Sequence, residues 1–212
     1  MDLGFFAVDR DVVKNTHAAL DRFRSLGAEV EEVKLGWTAA HLDAAMIYLK
    51  HLFGASLSPL LKKHGRDMTS YARQFAKDGQ KSKAADFVAS LGKVNEMYGT
   101  LGPLLERYNV LVCPTNALPA VPADFDQSKD SVTINGKRIA NPFLGWVMTT
   151  PFNMLSRCPV LSVPSGFARN GVPTGIQIVG RSYCDADVFR AGIAYEEATG
   201  GWFASEAGRP RL

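Results

Sequence analysis

Apolar residues change their spacing several times along this chain of 212 residues, and each change marks an element. Val12, Thr16, Ala19, Leu20, Phe23 and Leu26 recur every three or four positions behind Asp9 and Asp11, with Gly27 following. That pattern predicts a capped helix with a glycine stop. Ala28 to Leu35 then reads as a strand. Leu42, Ala45, Met46, Leu49 and Phe53 predict a second helix from Thr38 to Phe53, capped by Thr38. A short helix is expected over about Ser58 to Lys63, opening around Pro59, and another over Asp67 to Ala76, ending near Gly79. Phe87, Val88, Leu91, Val94, Tyr98, Leu101 and Leu105 extend helical spacing from Lys81 to Tyr108, with a kink or break expected near Gly99, Gly102 and Pro103.

The second half of the chain shortens its period. Asn109 to Cys113 reads as a buried strand, and the Pro- and Asp-rich stretch Ala117 to Lys129 as a long loop with a functional or covering role. Asn135-Gly136, between Val132-Thr133-Ile134 and Arg138-Ile139, predicts a hairpin, with an exposed flap as the alternative. Phe143 to Met154 reads as a helix. Val160 to Val163 and Gly175 to Val179 are β-branched runs bounded by Pro159, Pro164 and Gly180, the composition of strands covered on both faces. Pro164-Ser165-Gly166 and Asn170-Gly171 supply the reversal that sets them side by side, antiparallel. A last helix is expected over Asp185 to Thr199, ending at Gly200-Gly201, with an irregular tail over 200–212. The sum is an α/β fold, a mixed β-sheet flanked by helices. A helix followed by a strand is the second half of a βαβ unit and calls for an earlier strand. Unless Leu3 to Val8 is that strand, the chain begins in mid-fold, and residues 1–212 form a single partial domain.

Composition narrows the function classes. The formal charge of +3 is spread along the chain, without the basic stripe and interleaved aromatics of a nucleic-acid surface. Cys113, Cys158 and Cys184 are odd in number and far apart, which fits a reducing compartment rather than a disulfide framework. His17, His41, His51 and His64 lack second ligands at metal spacing, so no metal is expected. The N-terminus lacks the charged and apolar regions of a signal peptide, and no uncharged apolar run approaches the roughly 20 residues of a bilayer span. A soluble cytoplasmic protein is expected, without nucleic-acid or membrane partners.

Two linked segments carry a family resemblance. Pro159-Val160-Leu161-Ser162-Val163-Pro164-Ser165-Gly166, followed by Gly171-Val172-Pro173-Thr174-Gly175-Ile176-Gln177-Ile178-Val179-Gly180, resembles the closing segment of the amidase signature family of serine amidohydrolases. Leu26-Gly27-Ala28-Glu29-Val30-Glu31-Glu32-Val33, the tract from Val110 to Thr115, and Thr149-Thr150-Pro151-Phe152-Asn153 are similar to earlier elements of that family, in the same order. The chain departs from the pattern at Asn109, where an Asp is common. It departs again at Asn153 to Val160, where Ser156 stands near an expected Gly with one extra residue before the Pro, which puts the turn geometry in question.

The resemblance implies carboxamide C–N hydrolysis through a serine acyl-enzyme. A hydroxyl is a poor nucleophile near neutral pH, so the family pairs its serine with a bridging serine and a neutral lysine as base, beside a Gly-Ser loop for the oxyanion. This chain has no Ser-Ser pair and no such loop. No catalytic residue carries over, and the expectation is a C-terminal portion of an amidase, inactive alone. Thr115, Thr150 and Asn153 are its candidate substrate-pocket residues, with ordinary loop and helix-end hydrogen bonding as the other reading. Phe143, Trp146 and Phe152 suggest an apolar acyl pocket or core. Cys113 at a strand end lacks a histidine partner. No cofactor is expected; the partner is a small-molecule amide in the complete enzyme, with self-association through an exposed apolar edge. The alternative is a noncatalytic binding or assembly module on an amidase-like scaffold.

Overall fold

The computed structural model of the chain describes residues 1–202 and residue 204, so most of the tail expected over 200–212 lies outside the described residues. Among the described residues, eight α-helices and five strands follow one another as α1 (Arg10–Ser25), α2 (Ala40–Leu49), α3 (Ala55–Leu57), α4 (Leu61–His64), α5 (Ser70–Gly79), α6 (Ala84–Arg107), β1 (Val110–Pro114), β2 (Thr133–Ile134), β3 (Lys137–Arg138), α7 (Thr150–Met154), β4 (Val160–Phe167), β5 (Pro173–Gly180) and α8 (Asp185–Thr199).

Strand order in the main sheet is β1-β5-β4, with both pairings antiparallel. The α/β class is as expected, and every ladder among the described residues is antiparallel. β5 lies in the middle, with Gln177 opposite both Cys113 of β1 and Ser162 of β4. The β4·β5 register shifts between Pro164 and Gly166, a bulge where the proline has no N–H to give to a ladder. Asn135 (φ 50°) and Gly136 (φ 79°) both take the left-handed conformation, which closes the short β2·β3 hairpin as their dipeptide predicts.

α1 and α8 cover one face of the sheet. Ala19, Phe23, Val188 and Tyr195 pack there on Ile176 and Ile178, with Leu161 and Val163 partly buried beside them. The opposite face meets the larger cluster, in which Cys113 and Val179 join Met148, Phe152, Met97 and Leu101. Burying each of Ile176 and Ile178 completely contributes about 1.5–3 kcal/mol.

Several elements differ from their sequence expectation. Ala28 to Leu35 is not a strand. It joins no ladder and is fixed by Ala28 N donating to Phe23 O, by Glu31 accepting from Arg107 and Tyr108, and by burial of Leu35. Leu3 to Val8 also lacks a ladder. Thr38 does not cap α2: the helix starts behind Ala39, and the Thr38 amide donates to His41 Nδ1. α2 passes into a π-helical turn at Lys50–Gly54, where Gly54 and Gly79 let α5 cross backbone to backbone. The helical stretch Ala40–His64 reaches bilayer length and contains an 18-residue window with a mean hydropathy of 1.2, although Asp43, Lys50, Lys62 and Lys63 punctuate the stretch. Of the kink or break expected near Pro103, a break does not occur: α6 continues through the proline, with Met97, Leu101 and Leu105 buried on both sides of it.

Phe143 to Met154 is helical only at Thr150–Met154. Tertiary bonds take the backbone groups a longer helix would need. Trp146 O accepts from Ala117 N, and Met148 O accepts from Gln177 Nε2.

Candidate functional site

Side chains alternate across a strand, so Leu161 and Val163 face the helices while Val160 and Ser162 face the other way. On that second face the Ser162 hydroxyl lies 3.2 Å from the hydroxyl of Thr115, which follows β1. The two belong to strands separated by β5, and Gly175 makes the crossing feasible: a methyl group there would sit 3.0 Å from Thr115 Oγ1. Thr115 N donates to Gly175 O at 2.9 Å and holds the strand end in place.

Gln177 anchors the floor beside this pair. Its fully buried amide Nε2 donates to Pro114 O and Met148 O, both at 2.9 Å. One side chain therefore fastens the end of β1 to the segment that leads into α7. The Asn116–Val147 bridge ties the same two segments together. Gln177 Oε1 has no partner among the described residues.

The sequence-predicted pocket residues fall around this clamp. Thr115 is half-buried and paired with Ser162; Thr150 is buried at the first turn of α7; Asn153 is exposed one turn later on the same short helix. No hydrogen bond joins the three side chains to one another among the described residues. Phe152 is buried and packs 5.6 Å from Trp37, ring centre to ring centre, as core. Trp146 donates its indole N–H to Pro142 O. Phe143 instead borders a groove of about 300 Å³ with Met46 and Phe75, where Lys50 and Asp78 pair at 3.4 Å.

Reactive groups are sparse. Burial pushes the Cys113 thiol up to about 12, so it stays protonated and packs as a small apolar residue. Desolvation also raises Cys158. His51 Nδ1 lies 2.9 Å from Ser82 Oγ, but the imidazole is stacked on Phe87, and no carboxylate among the described residues bonds its other nitrogen. No lysine nitrogen among the described residues bonds a hydroxyl. No group of three or more His, Cys, Asp or Glu side chains among them is placed to hold a metal.

Ser162 and Gln177 escaped the sequence reading of candidate site residues. The signal for both was present: each is a lone polar residue inside a β-branched run, and such a residue in a covered strand requires partners.

Comparison with known proteins bears on the arrangement. The sequence model of the family described as Amidase matches residues 1–189. An acylamidase of Rhodococcus erythropolis is 27% identical over 197 residues, covering 92% of this chain and 40% of the relative. A glutamyl-tRNA(Gln) amidotransferase subunit from Oceanobacillus iheyensis is 34% identical over 96 residues, 45% of this chain and 18% of the relative. Among solved structures, a bacterial aryl acylamidase of the amidase signature enzymes superposes with a TM-score of 0.82 at 25% identity. That match covers 100% of this chain and 45% of the other. The chain thus spans less than half the length of these relatives.

Proposed function

Because the chain belongs to the Amidase family, we infer that it forms the wall and floor of a carboxamide-hydrolysing cleft, and that the serine nucleophile and its lysine base come from polypeptide outside this sequence. The observation that carries this reading is the combination of a folded amidase-like sheet with the absence of a Ser-Ser pair from the sequence. Among the described residues no hydroxyl is held by a lysine. A hydroxyl without a base remains a poor nucleophile, so the chain alone is inactive.

Its own contribution is placement. The Thr115–Ser162 hydroxyl pair lies on the sheet face away from α1 and α8, at the exposed β4 side of it, and Thr150 and Asn153 follow the segment that Gln177 clamps. Hydroxyl and amide groups of this kind accept from a substrate N–H or donate to its carbonyl, and orient a small-molecule amide without taking part in bond cleavage. No cofactor enters this chemistry.

Two measurements test the reading. The purified chain leaves aryl amides intact and is unlabelled by a serine-directed phosphonate probe; turnover or labelling of any serine would overturn it. A single polypeptide that joins the amino-terminal portion of the bacterial aryl acylamidase to Met1 of this chain hydrolyses aryl amides.

A further inference from the structure

We propose that the groove between α2, α5 and the Ala117 to Lys129 loop is a binding site for a small neutral aromatic carboxamide, built from this chain's own residues and separate from the Thr115–Ser162 region. None of Thr115, Thr150, Asn153 and Ser162 lines it.

Its walls come from segments far apart in sequence. α2 and the π-helical turn supply Met46 and Lys50, α5 supplies Gln74, Phe75 and Asp78, and Ser128 and Phe143 close the other side. Two close approaches fix these walls. A Cβ on Gly79 would lie 2.2 Å from Gly54 C, and one on Gly54 would lie 2.3 Å from Phe75 O, so the π turn and α5 touch backbone to backbone. That crossing sets Asp78 beside Lys50, the first residue of the π turn. Single π turns inside α-helices are frequent at functional sites. The loop, which has no helix or strand of its own over residues 117–129, is pinned to α5 by Asp126. Its carboxylate accepts from Ser70 Oγ at 2.8 Å and from Ser128 N and Oγ at 2.9 and 2.6 Å.

The floor is aromatic. Phe75 meets Phe143 edge-on at 5.8 Å and 86°, and Phe53 at 5.8 Å and 71°, so its ring is held from both sides. Met46 adds a thioether of the kind that packs on ring edges. The polar side sets a donor next to an acceptor: Lys50 Nζ lies 3.4 Å from Asp78 Oδ2, and Gln74 Nε2 donates to Asp78 Oδ1 at 3.0 Å. An ammonium has three donors and a carboxylate about four acceptor positions, so both groups keep bonding capacity after this pairing. A carboxamide offers a carbonyl to Lys50 and an N–H to Asp78 from one carbon. The two protein charges cancel, which favours a neutral ligand, and a ligand carboxylate would face Asp78 as a like charge. A volume of about 300 Å³ lies at the lower end of ligand sites and suits one ring with one substituent.

The test is a titration of the intact chain with benzamide, followed by amide-resolved NMR. Binding is read without turnover, so no outcome depends on the serine machinery. Benzamide should bind with a Kd of about 1 mM or tighter, with shifts at 46–50, 74–78 and 126–128. Benzoate keeps the ring but adds a charge, and acetamide keeps the amide but lacks the ring; each should bind at least about tenfold more weakly. Lys50→Met and Asp78→Asn alter partly exposed side chains and are checked for unaltered melting; each should weaken benzamide binding at least about fivefold. Lys62→Met, at an exposed lysine outside the groove, should leave it unchanged. Absence of binding, shifts that map to 115 and 162 instead, equal binding of benzoate or acetamide, or indifference to both groove variants would overturn the site.

Discussion

β4 and β5 are each eight residues long, share one ladder and look alike in sequence, yet they live in different surroundings. In β5, Ile176, Gln177, Ile178 and Val179 are all fully buried, with helices on one face and the larger core cluster on the other. In β4 the alternate residues Val160 and Ser162 are exposed. The sequence reading treated both as strands covered on both faces, which holds for β5 and fails for β4. Rank in the sheet, and not β-branched composition, decides how much of a strand is buried. β5 carries the Gln177 clamp, while β4 exposes the Ser162 hydroxyl on one face and, among the described residues, has no strand on its outer edge.

The contrast breaks if truncations in the two strands cost the same. Ile178→Ala should destabilise the chain by about 2–5 kcal/mol in urea unfolding, since it leaves a cavity between α1, α8 and the sheet. Gln177→Leu keeps the volume but strips Pro114 O and Met148 O of their donor, at a cost of about 1–3 kcal/mol. Loss of order at α7, read by hydrogen exchange, should accompany it. Val160→Ala should change stability by no more than about 0.5 kcal/mol; a loss comparable to that of Ile178→Ala would show that the β4 edge is covered.

The smallest effect concerns the connection between the two strands. Arg169, in the β4–β5 turn, donates its backbone N–H to Asp11 and pairs with it through the guanidinium. The backbone bond is the main cause that lowers the Asp11 carboxyl below its ordinary value. A lowered folded-state value means the contribution is complete above the ordinary aspartate value of about 3.9 and is lost as pH falls through the lowered one. Asp11→Asn should lower the melting temperature slightly at neutral pH and converge with the parent as pH falls, which flattens the acid-side slope in a melting-temperature series.

Elements whose signals are local were legible. The Asp9 cap of α1, the Asn135-Gly136 hairpin and the Asp185–Thr199 helix with Gly200 in the left-handed conformation all follow from neighbouring residues. Elements decided by distant partners were not. Residues 143 to 149 have helical composition, but Ala117 and Gln177 claim the carbonyls of Trp146 and Met148. Ala28 to Leu35 has strand composition and no ladder to join. The candidate site shows the same division: Thr115, Thr150 and Asn153 were visible as residues, whereas the Thr115–Ser162 contact exists only because Gly175 leaves a gap in the strand between them.

By itself, then, the amino-acid order determined the α/β class, the antiparallel pairing of β4 with β5 and the family resemblance, since period, turn chemistry and linked motifs are written in residues close together. Tertiary structure alone decided which strand is central, which polar groups meet across it and which strand lies outermost among the described residues. These depend on neighbours brought from tens of residues away, and side-chain burial is a property of what packs against a residue, not of the residue.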